Sequence, residues 1–125
     1  MIPAPRRIAI ADDSPAFVAA AADYVAALPG FVLAGTSRST GGALDLVQSA
    51  QPDVLLLDLG PAPARGLELV RRVKALPSAP AVVAMTLFHT HEAAAAAMGA
   101  GAHALVGKES FVPGLAQALA ALFPA

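Results

Sequence analysis

Five polar residues with the chemistry of a cation or phosphate site are spread along this 125-residue chain: Asp12, Asp13, Asp58, Thr86 and Lys108. Three carboxylates packed together would raise each other's pKa unless a cation joined them. Oxygen ligands without cysteine or histidine favour a hard divalent ion such as Mg²⁺. A lysine ammonium and a threonine hydroxyl beside such a cluster suit the oxygens of a transferred phosphoryl group. One aspartate would then be the nucleophile and would form an acyl phosphate.

Short aliphatic runs alternate with helix-period segments along the chain. The runs predict strands at residues 7–11, 31–35, 54–58, 81–86 and 104–107. The segments between and after them predict helices at about 15–28, 42–50, 67–76, 92–98 and 111–122. This alternation implies parallel strands joined by right-handed crossovers. We therefore predict one α/β domain with a doubly wound five-stranded parallel sheet in the order 2-1-3-4-5, flavodoxin-like, with helices on both faces.

The predicted third strand is apolar at every position from Val54 to Leu57, which marks a central strand covered by helices on both faces. Ligands of open α/β sheets bind at the carboxyl ends of the strands. Asp58 closes this central strand and is therefore the candidate nucleophile. The remaining polar residues also lie at strand ends: Asp12 and Asp13 after the first, Thr86 at the end of the fourth and Lys108 after the fifth.

Composition excludes several other kinds of function. The formal net charge of −1 provides no basic field for direct binding to nucleic acid or a membrane surface. The chain has no cysteine, so a disulfide framework and a cysteine-bound zinc site are excluded. The long uncharged stretches are all shorter than a spanning helix and contain glycine or proline. We expect a cytoplasmic domain with no membrane contact.

The motifs resemble the receiver domain of bacterial two-component response regulators, the CheY-like superfamily, over nearly the whole chain. The resemblance rests on residues 8–15 (IAIADDSP), residues 52–59 (PDVLLLDL), Gly66, Thr86 and residues 99–108 (GAGAHALVGK). Ser14-Pro15 after the acidic pair and Lys108-Glu109 after the fifth strand are most similar to receivers of NarL/FixJ-type DNA-binding regulators.

This resemblance implies a role for each site residue. Asp58 would be the phosphoacceptor, and Thr86 and Lys108 would bind the phosphoryl oxygens. Mg²⁺ would be held by Asp12, Asp13, Asp58 and the backbone carbonyl of Gly60. Thr86 and Leu105 occupy the positions that switch conformation in the family. The phosphodonor would be a sensor histidine kinase or phosphotransfer protein, and no enzymatic activity beyond self-phosphorylation and self-dephosphorylation is expected.

The chain departs from the family pattern at several of these positions. Leu105 replaces the usual Phe or Tyr, and Leu87 replaces a small residue after the threonine. The loop after Asp58 contains Pro61 and Pro63, and Glu109 stands where proline is usual. Since Leu87 should narrow access to an acyl phosphate, we predict slow exchange with small phosphodonors and slow hydrolysis.

Three functions therefore remain open. The first is a phosphoacceptor that signals through the face formed by the fourth helix, fifth strand and fifth helix. The second is an atypical receiver that acts as an interaction module with weak or absent phosphorylation-driven switching. The third is a small Mg²⁺-dependent phosphatase or other α/β enzyme, which the lack of a second catalytic acid beside Asp58 disfavours.

The sequence also predicts the domain organisation and a possible dimer surface. We expect residues 1–125 to form a single receiver domain, with nucleic acid contacted only through an output domain absent from this chain. Apolar residues of the fifth helix that do not face the sheet could support a homodimer.

Overall fold

A computed structural model describes residues 3–124. Its helices and strands are, in chain order, β1 (Arg6–Ala11), α1 (Pro15–Ala26), β2 (Phe31–Ser37), α2 (Ala43–Ala50), β3 (Val54–Asp58), α3 (Pro63–Lys74), β4 (Ala81–Thr86), α4 (His91–Ala100), β5 (Ala104–Gly107) and α5 (Phe111–Leu122). The strands form one parallel sheet in the order β2-β1-β3-β4-β5. The predicted fold and strand order are confirmed.

The sheet has an apolar core on each face. Leu55 and Leu57 of β3 belong to one core, to which α2, α3 and α4 contribute. Val54 and Leu56 belong to the other, to which α1 and α5 contribute. All five residues of β3 are buried. The continuous apolar run therefore predicted the central strand correctly, since each face of β3 is covered by helices.

Several element boundaries differ from the sequence prediction. The helix predicted from residue 67 begins at Pro63, where the fixed φ of proline suits the first helical position. Strand β2 continues to Ser37 because that residue pairs with Ala11 of β1. Helix α1 ends at Ala26 rather than at residue 28.

Side-chain capping confirms two of the predicted helix starts. The Ser14 hydroxyl accepts the Phe17 N–H at 3.3 Å, and the Thr90 hydroxyl accepts the Ala93 N–H at 3.0 Å. Ser39 and Thr40 are residue types that could cap α2, but neither does so, because a 3₁₀ turn at Thr40–Gly42 precedes the helix and Gly42 occupies the cap position. No helix within residues 3–124 is long and apolar enough to cross a membrane.

Candidate functional site

Asp58 ends β3 and places its carboxylate at the carboxyl end of the sheet. The residue is 7% exposed, and Oδ1 accepts the Gly60 N–H at 3.2 Å. Gly60 has a φ of 74°, in the left-handed region that glycine adopts readily. Burial raises the pKa of Asp58 above its ordinary value, and the nearby negative charge of Asp12 adds to this effect. The Gly60 N–H and Lys108 oppose the rise.

Asp12 follows β1 and is fully buried beside Asp58. Its Oδ1 accepts the Ser14 N–H at 2.8 Å. Its Oδ2 lies 2.7 Å from Nζ of Lys108, but within the described residues it has no hydrogen bond of good geometry. This buried oxygen therefore depends on a neighbouring positive charge for its stabilisation.

Lys108 follows β5 and supplies that charge. Its Nζ lies 2.7 Å from Oδ2 of Asp12 and 3.4 Å from Oδ1 of Asp58. The Lys108 side chain is 10% exposed, so the ammonium is largely removed from solvent. The structure thus brings together three of the predicted site residues from three different strand ends.

Asp13 lies at the rim of the site rather than in the cluster. Its carboxylate is exposed, and Oδ1 accepts the backbone N–H of Thr40 at 2.9 Å. The Thr40 hydroxyl is 3.5 Å from both carboxylate oxygens. Across residues 3–124, no three acidic or histidine side chains are grouped closely enough to hold a metal ion. Asp13 would have to turn away from Thr40 to share an ion with Asp12.

The donor chemistry of this site fits a hard cation. Asp12 and Asp58 present carboxylate oxygens side by side, and the pKa of Asp58 is raised partly by that proximity. Oxygen donors of this kind bind Mg²⁺ in proteins. The strongest indication is the balance of charge: Asp12 and Asp58 share the single ammonium of Lys108, so ionisation of both carboxylates leaves one negative charge without a positive partner.

Thr86 ends β4 beside a cavity of about 450 Å³. Its Oγ1 accepts the Phe88 N–H at 3.2 Å, which leaves the hydroxyl hydrogen free to donate. The cavity is lined by Asp58, Thr86 and Lys108 on its polar side and by Leu67, Leu87, Phe88 and Ala96 among its apolar walls. Leu87 and Phe88 are 61% and 80% exposed. The effect of Leu87 on access to Asp58 stays a prediction.

Leu105 is buried in β5, within the core that contains α4. It is paired with Ala84 of β4, and Ala97 of α4 belongs to the same core. The leucine side chain belongs to this core. Unlike Phe or Tyr, leucine has no flat ring or phenolic hydroxyl that could rotate in response to a movement of Thr86.

Gly66 fixes the distance between α3 and the residue after Asp58. A Cβ atom at Gly66 would lie 2.6 Å from both Cα and the carbonyl oxygen of Leu59. Leu59 is in turn anchored to β4, because its N–H donates to the Met85 carbonyl at 2.9 Å. Gly66, noted in the sequence only for its spacing from Asp58, therefore allows α3 to pack against the loop that follows the acceptor.

Sequence reasoning missed one residue that contacts the site. The Phe17 ring centroid lies 4.5 Å from Nζ of Lys108. Phe17 falls in the first turn of α1, where the helical pattern alone indicates a core residue. The signal that could have identified it is its position three residues after the cap Ser14, close to the acidic pair.

Comparison with known proteins agrees with this arrangement. The model of the response regulator receiver domain matches residues 8–120. The chain belongs to this family. A curated relative is the protein-glutamate methylesterase/protein-glutamine glutaminase 4 of Myxococcus xanthus, which is 32% identical over 105 residues, or 83% of this chain. This receiver chain spans 30% of that protein's length. A putative transcriptional regulator of Pseudomonas aeruginosa is 29% identical, and the chain spans 49% of it.

Solved structures of receivers have the same fold. The LuxR-family response regulator of Aurantimonas superposes with a TM-score of 0.83 at 28% identity, over 94% of this chain and 84% of that one. The CheY6 and CheA3 P1-domain complex of R. sphaeroides contains a similar chain, with a TM-score of 0.79 and 25% identity over 98% and 100% of the two chains. The NarL receiver of Mycobacterium tuberculosis, 21% identical with a TM-score of 0.84 over 96% and 97% of the two chains, shows the same fold.

Proposed function

We propose that this receiver domain is a phosphoacceptor in which Asp58 takes a phosphoryl group from the phosphohistidine of a sensor histidine kinase or phosphotransfer protein. The observation that carries the proposal is the buried Lys108 ammonium between Asp12 and Asp58. Charged groups with a perturbed pKa at the ligand-binding end of a parallel sheet are typical of a functional site. The pairing of a similar chain with a CheA3 P1 domain supports this class of partner.

Asp58, Lys108 and Thr86 each have a separate role in the phosphoryl transfer. A carboxylate oxygen of Asp58 attacks phosphorus, the bond from phosphorus to the histidine nitrogen breaks, and the leaving imidazole takes up a proton. Lys108 exchanges its contact with Asp58 for one with a phosphoryl oxygen. The Thr86 hydroxyl donates to a second oxygen while it continues to accept the Phe88 N–H. Both groups stabilise charge on the phosphoryl group during the transfer.

Mg²⁺ fits this site as the counterion of the reaction. Asp12, Asp13, Asp58 and the backbone carbonyl of Gly60 would hold it. When bound, it supplies positive charge to the phosphoryl oxygens and to the paired carboxylates. Asp12 would be a preordered ligand, since it is fully buried and its orientation is fixed by the Ser14 N–H. Asp13 would have to release the Thr40 N–H, so its contribution to binding should be smaller than that of Asp12.

Incubation with acetyl phosphate and Mg²⁺ tests this function. Mass spectrometry of the intact protein should show the addition of one phosphoryl group, and hydroxylamine should release it as expected for an acyl phosphate. Asp58→Asn should not be labelled. Asp53→Asn is the matched control, because Asp53 is an exposed carboxylate at the opposite end of β3 and should be labelled like the wild type. Because Leu87 predicts slow exchange with small phosphodonors, the incubation is prolonged. Labelling of Asp58→Asn, or a wild type that stays unlabelled even after prolonged incubation, would contradict the proposal.

A second candidate function is an interaction module that signals without phosphorylation-driven switching. The observation in its favour is Leu105, which is buried in the core that contains α4 and has no ring to rotate. Backbone NMR spectra recorded with beryllofluoride and Mg²⁺ discriminate the two. A phosphorylation switch predicts shifts that spread from Asp58 to Leu105 and α4. An interaction module predicts shifts confined to residues that touch the phosphoryl mimic.

The proposed output surface is formed by α4, β5 and α5. Met98 of α4 and Val112 of α5 are exposed apolar side chains on these elements, and a homodimer could bury them. We propose that the domain acts in the cytoplasm, that its own chemistry is limited to phosphorylation and dephosphorylation of Asp58, and that residues 1–125 work as one receiver unit.

A further inference from the structure

Lys108 has a third neighbour besides Asp12 and Asp58, the face of the Phe17 ring. The ring centroid lies 4.5 Å from Nζ, within the range of a cation–π interaction. The attraction is stronger for a desolvated ammonium, and the Lys108 side chain is only 10% exposed. Two carboxylates and one aromatic ring therefore surround the single ammonium group of Lys108.

Phe17 is held in place by the same residues that shape the site. The Phe17 N–H donates to the Ser14 hydroxyl, and the Ser14 N–H donates to Oδ1 of Asp12. Oδ2 of Asp12 contacts Lys108, whose ammonium lies over the Phe17 ring. These four contacts link Phe17, Ser14, Asp12 and Lys108 in a ring. The orientation of the Phe17 backbone is therefore coupled to the position of the Lys108 ammonium.

Phe17 also connects the site to two helices on one face of the sheet. Its ring packs edge-on against Phe111, with centroids 5.2 Å apart and an interplanar angle of 79°. Phe111 packs edge-on against Tyr24, with centroids 5.9 Å apart and an angle of 72°. Phe111 begins α5 directly after the 3₁₀ turn that starts at Lys108. We call Phe17, Phe111 and Tyr24 the aromatic chain.

We propose that Phe17 is a positioning residue for Lys108 and that the aromatic chain transmits movement of Lys108 to the α1–α5 face. This inference rests on the proposed function, in which Lys108 turns from a carboxylate to a phosphoryl oxygen. Such a turn changes the distance between the ammonium and the Phe17 ring. Since Phe17 packs edge-on against Phe111, its adjustment changes the surroundings of Phe111 and then of Tyr24. Leu105 offers no comparable ring on the α4 side.

The positioning role can be measured without any ligand. Protons above the face of an aromatic ring are shifted upfield, so the side-chain NMR signals of the Lys108 Cε protons should lie upfield in the wild type. Phe17→Leu should remove this shift, whereas Phe111→Leu and Phe31→Leu should keep it. Phe31 is a matched control, because its ring pairs with Phe123 and lies outside the aromatic chain. Identical Lys108 signals in the wild type and Phe17→Leu would overturn the positioning role.

The transmission can be measured through Tyr24, which is the single tyrosine in a chain without tryptophan. At saturating beryllofluoride and Mg²⁺, Tyr24 fluorescence should change in the wild type and in Phe31→Leu. The change should be lost in Phe17→Leu and in Phe111→Leu, with circular dichroism confirming that each variant is folded. Calorimetry should show beryllofluoride binding about two- to twelvefold weaker in Phe17→Leu than in the wild type, the ratio that corresponds to ordering one side chain that is no longer held in place before the ligand binds.

The outcomes separate this inference from the proposed function. A wild type that binds no beryllofluoride by calorimetry contradicts the phosphoacceptor role, and the Lys108 signals then still decide the positioning role. A wild type that binds but leaves Tyr24 fluorescence unchanged overturns the transmission. The transmission is also overturned if Phe17→Leu, saturated with beryllofluoride and Mg²⁺, shows the same change in Tyr24 fluorescence as the wild type.

Discussion

Lys108 and Asp12 form a buried ion pair in which Nζ lies 2.7 Å from Oδ2. The pair joins the carboxyl ends of β5 and β1, which are separated in the sheet by β3 and β4. Ion pairs removed from solvent carry a desolvation penalty that often exceeds their mutual attraction. Asp58 adds a second carboxylate to the same ammonium, at 3.4 Å. An apolar cluster would stabilise this end of the sheet at least as well, so the charges indicate a functional site.

Removing the ammonium should destabilise the domain. Lys108→Met leaves two buried carboxylates without their positive partner, and we expect the free energy of unfolding at pH 7 to fall by about 3 kcal/mol. Urea denaturation measures the change. Arg71→Met is the control, since it removes an exposed ion pair with Glu68 and should cost less than about 0.5 kcal/mol. Equal losses in the two variants would show that the Lys108 pair is not stabilising.

Neutralising the acceptor should have the opposite effect on stability at pH 7. Because the pKa of Asp58 is raised above 3.8, the Asp58 carboxylate binds a proton more tightly in the folded state than in the unfolded state. The stability gained from this protonation is complete below pH 3.8 and is lost as the pH rises through the raised pKa. Asp58→Asn avoids that loss, so it should be more stable than the wild type at pH 7.

The pH dependence of this gain is the check. Urea denaturation should show that the advantage of Asp58→Asn shrinks as the pH is lowered towards 3.8. Asp53→Asn should show no such gain, because that carboxylate is exposed. A variant that is less stable than the wild type at pH 7, or a gain that does not vary with pH, would contradict the raised pKa.

The sequence predicted the fold and the gathering of Asp12, Asp58 and Lys108 for the same physical reason. An uninterrupted apolar strand has to be central, and the carboxyl ends of parallel strands meet at one edge. Those two rules place Asp58 between its partners without any knowledge of side-chain packing.

Side-chain directions at the rim depended on contacts that the sequence does not reveal. The Asp13 carboxylate accepts the Thr40 N–H at the start of a 3₁₀ turn before α2, and helical periodicity does not predict that turn. The contact of Phe17 with Lys108 depends on how α1 and α5 pack on the sheet, and helical periodicity does not specify that. The predicted start of α3 at residue 67 was wrong, because Pro63 begins the helix although a proline could equally have ended the preceding loop.

Binding of Mg²⁺ should stabilise the domain through Asp12. At ten times its dissociation constant, Mg²⁺ should raise the free energy of unfolding of the wild type by about 1.4 kcal/mol, by mass action. Asp12→Asn should abolish this increase, and Asp13→Asn should weaken it. Asp53→Asn should retain it, and thermal denaturation with and without Mg²⁺ measures all four proteins. An unchanged increase in Asp12→Asn would place the ion elsewhere.

Packing of α3 against the loop after Asp58 should depend on Gly66. In Gly66→Ala the new methyl group would overlap the Leu59 backbone, and we expect a loss of about 1–3 kcal/mol of stability. Gly99→Ala is the matched control in α4, because no atom lies within 4 Å of its added Cβ. That variant should gain about 0.5–1 kcal/mol from the better helix propensity of alanine. Similar effects at both glycines, measured by urea denaturation, would contradict this packing.

A crystal structure with Mg²⁺ and beryllofluoride tests the central claim most directly. We predict beryllium on a carboxylate oxygen of Asp58 and Mg²⁺ at about 2.0–2.1 Å from oxygens of Asp12 and Asp58. Nζ of Lys108 should lie against a fluoride, and the Thr86 hydroxyl should donate to another. Beryllofluoride on a different carboxylate, or a metal ion that Asp12 and Asp58 do not share, would contradict the account.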